Sequence, residues 1–135
     1  MTYLLDTIIL IYLIKQRPRH VAERIDQLPS SDRLAMSFIT WAELLQGAVG
    51  SSQLDRKLHA LTHQVEVLYP KDAGICHHYA EQATALRRAG TPIGANDLWI
   101  ACHALALGAT VVTHNLREFS RIAGLSVEDW AEQPQ

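Results

Sequence analysis

Tyr3-Leu4-Leu5-Asp6 sets the reading of the whole chain, because three apolar residues of a short buried strand run straight into a carboxylate. The apolar stretch Thr7 to Lys15 follows as a helix, closed by Gln16-Arg17-Pro18. The same handover from strand to helix recurs downstream. Val21, Ile25 and Leu28, at i, i+4 and i+7, mark one face of a second helix. Leu34 to Phe38 is a second strand, and Thr40 to Ala48 is its helix, ending near Gly47 or Gly50. Ser51-Ser52 caps a helix with the apolar face Leu54, Leu58 and Leu61, and Val65, Val67 and Tyr69 alternate as in a strand. Asp72 to Arg88 carries Ile75, Tyr79, Ala83 and Leu86 in line and stops at Gly90. Asn96 to Leu107 is a helix stopped by Gly108, Ala109 to Thr113 an apolar strand, and Leu125 to Val127 a short last one. Strands that stay apolar and alternate with helices imply a mostly parallel sheet covered on both faces. The expected fold is a three-layer α/β/α domain around four to five strands. With 135 residues and neither repeat nor low-complexity tract, it fills one domain over 1–135.

Composition narrows the class. The chain is 48% hydrophobic and 19% charged, enough apolar content to bury a core and too little charge for a disordered tail. A net charge of -2 argues against a protein that coats any polynucleotide, since phosphate binding demands local excess of Lys and Arg. Two cysteines cannot build a disulfide framework, so a reducing cytoplasm is expected. No segment reaches the about 20 apolar residues of a membrane span, and Ile8 to Ile14 lacks the preceding Lys or Arg of a signal peptide.

In an open parallel sheet, ligand sites gather beyond the carboxyl ends of the strands. Asp6 stands at the end of the first strand, and Glu43 lies one turn into the helix after the second. Asp97 opens the helix that leads into the late strand, and Asn115 follows that strand's end. Each has an ordinary alternative. Asp6 can cap the next helix, and Glu43 can close a capping box with Thr40. Asp97 suits a helix dipole, and Asn115 suits a turn. Those alternatives do not account for all four gathering at one sheet edge. Oxygen ligands without His or Cys are the donor set that Mg²⁺ and Mn²⁺ prefer. Such an ion activates water and neutralises the leaving oxygen in phosphodiester hydrolysis.

Several of these stretches together resemble a known family. They are Tyr3-Leu4-Leu5-Asp6-Thr7, Thr40-Trp41-Ala42-Glu43-Leu44, and Ile93-Gly94-Ala95-Asn96-Asp97 with Ile100-Ala101. Val112-Thr113-His114-Asn115 through Phe119 to Gly124-Leu125 and Glu128-Asp129-Trp130 completes the set. They resemble the PIN-domain ribonucleases over essentially the whole chain. In order and spacing they are similar to the VapC toxins of bacterial toxin–antitoxin modules. The resemblance implies a PIN fold and an Mg²⁺-dependent endoribonuclease, with Mn²⁺ as a substitute, acting on tRNA or other structured RNA. It also implies a VapB-like antitoxin and a homodimeric toxin. Position by position, Asp6, Glu43 and Asp97 match the family's three acidic metal-site residues. Asn115 completes the catalytic set where many members carry a fourth acid and others an Asn.

Two positions depart from the pattern. Ile8 stands where the family commonly has an Asn that helps orient the first acid. Asn115 removes a negative charge, so a second cation is expected to bind weakly, with Glu118 a substitute if its loop folds inward. These departures keep an alternative open, a catalytically weak PIN-like module that binds RNA or protein. Metal-dependent RNA cleavage discriminates the two.

Other chemistry finds less support. Cys76-His77-His78 and Cys102-His103 lack the tight spacing of zinc ligands, and Cys102 suits the core. There is no G-x-S-x-G elbow, P-loop or G-x-G-x-x-G. A receiver domain would want paired acids after the first strand and a Lys after a late one, and has neither. His114 lies beside the acids either as a substrate contact or as a solvated loop residue. Lys15, Arg17, Arg87, Arg88 and Arg117 are candidates for phosphate contacts. Trp41, Trp99 and Trp130 read as core or interface aromatics rather than base-stacking platforms.

Overall fold

A computed structural model describes residues 1–132. Five strands, β1 (Thr2–Leu5), β2 (Arg33–Ser37), β3 (Glu66–Leu68), β4 (Thr110–Val112) and β5 (Val127–Glu128), form one sheet in the order β3-β2-β1-β4-β5. All four pairings are parallel. Seven helices connect them: α1 (Thr7–Lys15), α2 (Arg19–Asp26), α3 (Phe38–Ala48), α4 (Ser52–Leu61), α5 (Gly74–Arg88), α6 (Ala95–Leu107) and α7 (Leu116–Phe119).

The pleat of β1 sorts these helices into two layers, because successive strand residues point to opposite faces. Tyr3 and Leu5 enter a core with Ile9, Leu10, Val21, Leu44, Leu58 and Leu61, contributed by α1 to α4. Leu4 points the other way, into Ile75, Leu86, Leu98, Ile100 and Phe119 from α5 to α7. Leu4, Leu5, Ile9 and Leu10 are fully buried, each contributing roughly 1.5–3 kcal/mol against exposure. Trp130 is also core, packed edge-on against Tyr3 with ring centroids 5.0 Å apart. Cys102 is buried on α6, and burial pushes its thiol up to about 11.

Three elements differ from the sequence expectation. β2 stops at Ser37, whose hydroxyl accepts from the Ile39 amide and starts α3 at Phe38. Thr40 is therefore inside the helix, and the capping box proposed for Thr40 and Glu43 does not form. The short helix α7 occupies a stretch read as loop, and the last strand lies at Val127–Glu128 rather than Leu125 to Val127. Gly108 ends α6 with φ of 66°, a left-handed conformation that glycine adopts without a Cβ penalty. Among the described residues, no helix is long and apolar enough to cross a membrane.

The strand order reverses between β1 and β4: from β1 the chain winds out to β2 and β3, whereas β4 and β5 lie on its other side. A crevice opens beyond the carboxyl ends of strands at such a switch point. Asp6 and Thr113 immediately follow the two strands that border it.

Candidate active site at the sheet switch point

Asp6 leaves β1 as the N-cap of α1, and its Oδ1 accepts from the Ile9 amide at 3.3 Å. Its backbone N–H donates to the Val112 carbonyl at 3.0 Å, continuing the β1–β4 ladder by one residue. The Thr113 hydroxyl donates to Asp6 Oδ2. The Asn115 amide in turn donates to Thr113 Oγ1 at 2.9 Å, so the end of β4 holds the carboxylate of β1 in place. Capping and site membership are compatible: one carboxylate oxygen caps the helix and the other meets Thr113.

Glu43 projects from the second turn of α3, where its Oε1 accepts from the Thr7 hydroxyl at 3.3 Å. Asp97 sits in the first turn of α6. Asp6, Glu43, Asp97 and Asn115 line one cleft of about 340 Å³, together with Thr7 and His114. Its apolar wall includes Ile8, Ile11 and Ile100, and neither Lys nor Arg lines it. A wider groove of about 480 Å³ beside α3 and α4 has a single lining carboxylate, Asp55.

Crowded carboxylates raise one another's proton affinity, and burial adds to the effect. Burial raises the Asp6 carboxyl above its ordinary value, against the hydrogen bonds from Thr113 and the Ile9 and Ile8 amides, and the charge of Glu43 raises it further. Asp97 is pushed up to about 7, by burial first, then by its hydrogen bond with Glu118 and the charges of Glu118, Asp6 and Glu43. Glu118 is thus a fourth acid of the cluster, beside Asp97 rather than in the cleft lining. The Asn115 side-chain amide donates to Glu118 Oε2 at 2.9 Å and ties it down. Among the described residues, no three His, Cys, Asp or Glu side chains close into a preassembled metal site. The acids border a shared space instead.

The PIN domain family profile matches residues 3–125. The chain belongs to the PIN-domain family. Within the PIN domains it groups with the VapC ribonucleases. It is 53% identical over 135 residues to ribonuclease VapC1 of Haemophilus influenzae strain R2866, covering 98% of this chain and 100% of that one. It is 41% identical over 132 residues to the tRNA(fMet)-specific endonuclease VapC of Salmonella typhimurium, covering 95% and 97%. The fold agrees with that of VapBC-1 from nontypeable Haemophilus influenzae at a TM-score of 0.90 and 54% identity, covering 98% and 100%.

Ile8, at the position where PIN domains of this kind commonly carry an Asn, is 41% exposed on the cleft wall, and its hydrocarbon side chain has no group to donate to Asp6. Thr113 and the first-turn amide of α1 orient the carboxylate instead. Thr113→Val keeps the shape of the side chain and removes this donor, leaving a buried carboxylate oxygen short of a partner. We expect a loss of about 1 kcal/mol in thermal unfolding and about a fivefold loss in cleavage rate. Unchanged cleavage would mean that Asp6 needs no orienting bond from β4.

Glu118, which the sequence offered only as a substitute acid if its loop folds inward, and Thr113 join the candidate site through contacts between distant elements. Thr113 had only its place at a strand end, and Glu118 required the turn of α7 to carry it back to Asp97. Of the basic candidates, Arg117 lies on α7, and Arg87 and Arg88 close α5 before the loop to Asp97. All three are exposed.

Proposed function

We propose that this PIN domain is a metal-dependent endoribonuclease whose Asp6, Glu43 and Asp97 hold Mg²⁺, or Mn²⁺ in its place, against the RNA backbone. The observation that carries the reading is the charge imbalance of the cleft. Asp6, Glu43 and Asp97 line one space with no Lys or Arg in its lining, and burial first, then the neighbouring acids, raises Asp97 to about 7. Protons or a cation must neutralise such a set, and the donors are the hard oxygens that Mg²⁺ prefers. The open spacing of the acids suits an ion that keeps several of its waters. When bound, the ion lowers the pKa of the attacking water and neutralises charge on the leaving oxygen.

The chain's own residues supply orientation. Thr113 and the α1 amide fix Asp6, Thr7 fixes Glu43, and Asn115 keeps Glu118 beside Asp97. In this reading Asn115 is a positioning residue, and the fourth negative charge comes from Glu118. Asn115→Ala releases Glu118, so the Mg²⁺ concentration for half-maximal cleavage should rise about threefold, with a smaller change at saturation. A metal-activation curve that does not move would remove Asn115 from the site's design.

The substrate class we assign is tRNA, from the Salmonella relative whose name specifies tRNA(fMet). Solved relatives include VapBC pairs, that of Salmonella typhimurium bound to DNA. We assign this chain the toxin role in such a pair, as a homodimer held by a VapB-like antitoxin. The deciding experiment incubates the purified chain with total tRNA, with Mg²⁺ or with chelator, and maps the new RNA ends. Discrete cuts that vanish with chelator are expected. Cuts that survive chelation would overturn the metal assignment, and binding without cuts would favour the catalytically weak module.

A further inference from the structure

His114 is a cleft residue that the metal reading leaves without a task. It lines the same space as Asp6, Glu43 and Asp97, on the stretch that follows β4. Its side chain is 52% exposed, so one side of the ring is open to a substrate. The other side is fixed. His114 Nδ1 lies 2.9 Å from Asp129 Oδ2, and the Asp129 side chain is only 8% exposed. Asp129 Oδ1 accepts from the backbone amides of Ala131 and Glu132, at 2.8 and 3.1 Å. A carboxylate engaged in this way is an acceptor, so the proton of the neutral imidazole resides on Nδ1. Nε2 then presents a lone pair and no hydrogen.

That lone pair selects for a donor. The phosphate oxygens of a substrate only accept, as do the surrounding carboxylates when ionised around a cation. The sugar–phosphate backbone of RNA carries one kind of hydrogen-bond donor, the ribose 2′-hydroxyl, and DNA lacks it. We propose that His114, oriented by Asp129, accepts a hydrogen bond from the 2′-hydroxyl of a nucleotide adjoining the cleaved bond, and so helps the site distinguish RNA from DNA. His114 is a specificity residue in contact with substrate, and Asp129 is a positioning residue acting through it. The inference rests on the ribonuclease reading and adds to it the group that recognises the sugar.

The test uses the full chain and a synthetic RNA hairpin spanning a cleavage site mapped in tRNA, with single 2′-deoxy substitutions placed around that site. Wild-type kcat/KM should fall about five- to tenfold at one position, the loss of one hydrogen bond. His114→Ala should cleave the all-ribo hairpin about five- to tenfold more slowly and show no further loss at that position. This is the signature of a coupled pair and not of two independent defects. Asp129→Asn keeps an oxygen for the two backbone amides but offers His114 a donor. It should favour the other tautomer and lower the 2′-deoxy discrimination with the protein folded, a readout that a purely structural role would leave alone. A 2′-deoxy penalty that persists in full in His114→Ala overturns the inference, as does its absence in the wild type. If the wild type fails to cut the all-ribo hairpin and the parent tRNA, the ribonuclease reading itself falls.

Discussion

Asp97→Asn is expected to lower RNA cleavage by at least about 10³-fold while the domain stays folded, and Asp6→Ala to do the same. Activating a water for attack on a phosphodiester is the task assigned to the bound ion, and it supplies several kcal/mol of the barrier reduction. Asn matches Asp in shape but contributes no charge, so the variant tests the carboxylate and not the packing around it. Asp6 is the more buried of the two, tied to the Ile9 amide and to Thr113, so its replacement also disturbs the start of α1. Asp97 lies near the start of α6 and gives the cleaner comparison. The measurement is end-mapped tRNA cleavage beside circular dichroism of the same preparations. Full activity in folded Asp97→Asn would remove Asp97 from the mechanism.

The same carboxylates should make the metal-free protein less stable as pH rises. Asp97 is pushed up to about 7 in the folded chain, above its ordinary carboxylate value. Between those limits the folded state holds a proton that the unfolded state releases, so stability is fully present at low pH and drains away as pH rises through about 7. Asp6 is shifted in the same direction. At about 1.4 kcal/mol per pKa unit, and discounted for the solvent that reaches a partly buried site, the expected loss from pH 5 to pH 8 is about 2 kcal/mol. Buried His103, held below its usual value by burial, acts in the opposite direction, so the effect is read as a difference: from pH 5 to pH 8 chelator-treated wild type should lose melting temperature relative to Asp97→Asn. Asp97→Asn should flatten the profile and exceed the wild type at pH 8. Added Mg²⁺ should restore the wild type most at the alkaline end, by stabilising the state that binds it. Parallel metal-free profiles for the wild type and Asp97→Asn would contradict the raised Asp97 carboxyl.

The fold was legible because its signals were local. Apolar runs at β1, β2 and β4, and the glycine stop at Gly108, required only neighbours in sequence. Placing Asp6, Glu43, Asp97 and Asn115 at one sheet edge needed only the rule about strand ends. Their pairings were another matter. The Thr40–Glu43 capping box was a sound local match that Ser37 pre-empted by starting the helix two residues earlier. Thr7 as partner of Glu43, Thr113 as partner of Asp6 and Glu118 as neighbour of Asp97 all depend on how distant helix starts meet across the switch point. So does Asp129, whose stretch read as a family signature but whose bond to His114 crosses between β4 and β5 ends. Periodicity shows which face a residue takes and is silent about what stands opposite.

The position of β4 also bears on how the protein is born. A ribosome delivers Asp6, Glu43 and Asp97 before it delivers β4, the strand that pairs directly with β1 and carries Thr113 at its end. Asp129 and Trp130 emerge later still, one bonded to His114 and the other packed into the core beside Tyr3. A chain that stops before β4 therefore holds three acids with the first of them tied only to the amide of its own helix. The Asp6 carboxylate gains its second partner only once β4 is made, and a fragment ending before β4 lacks the strand that borders the cleft.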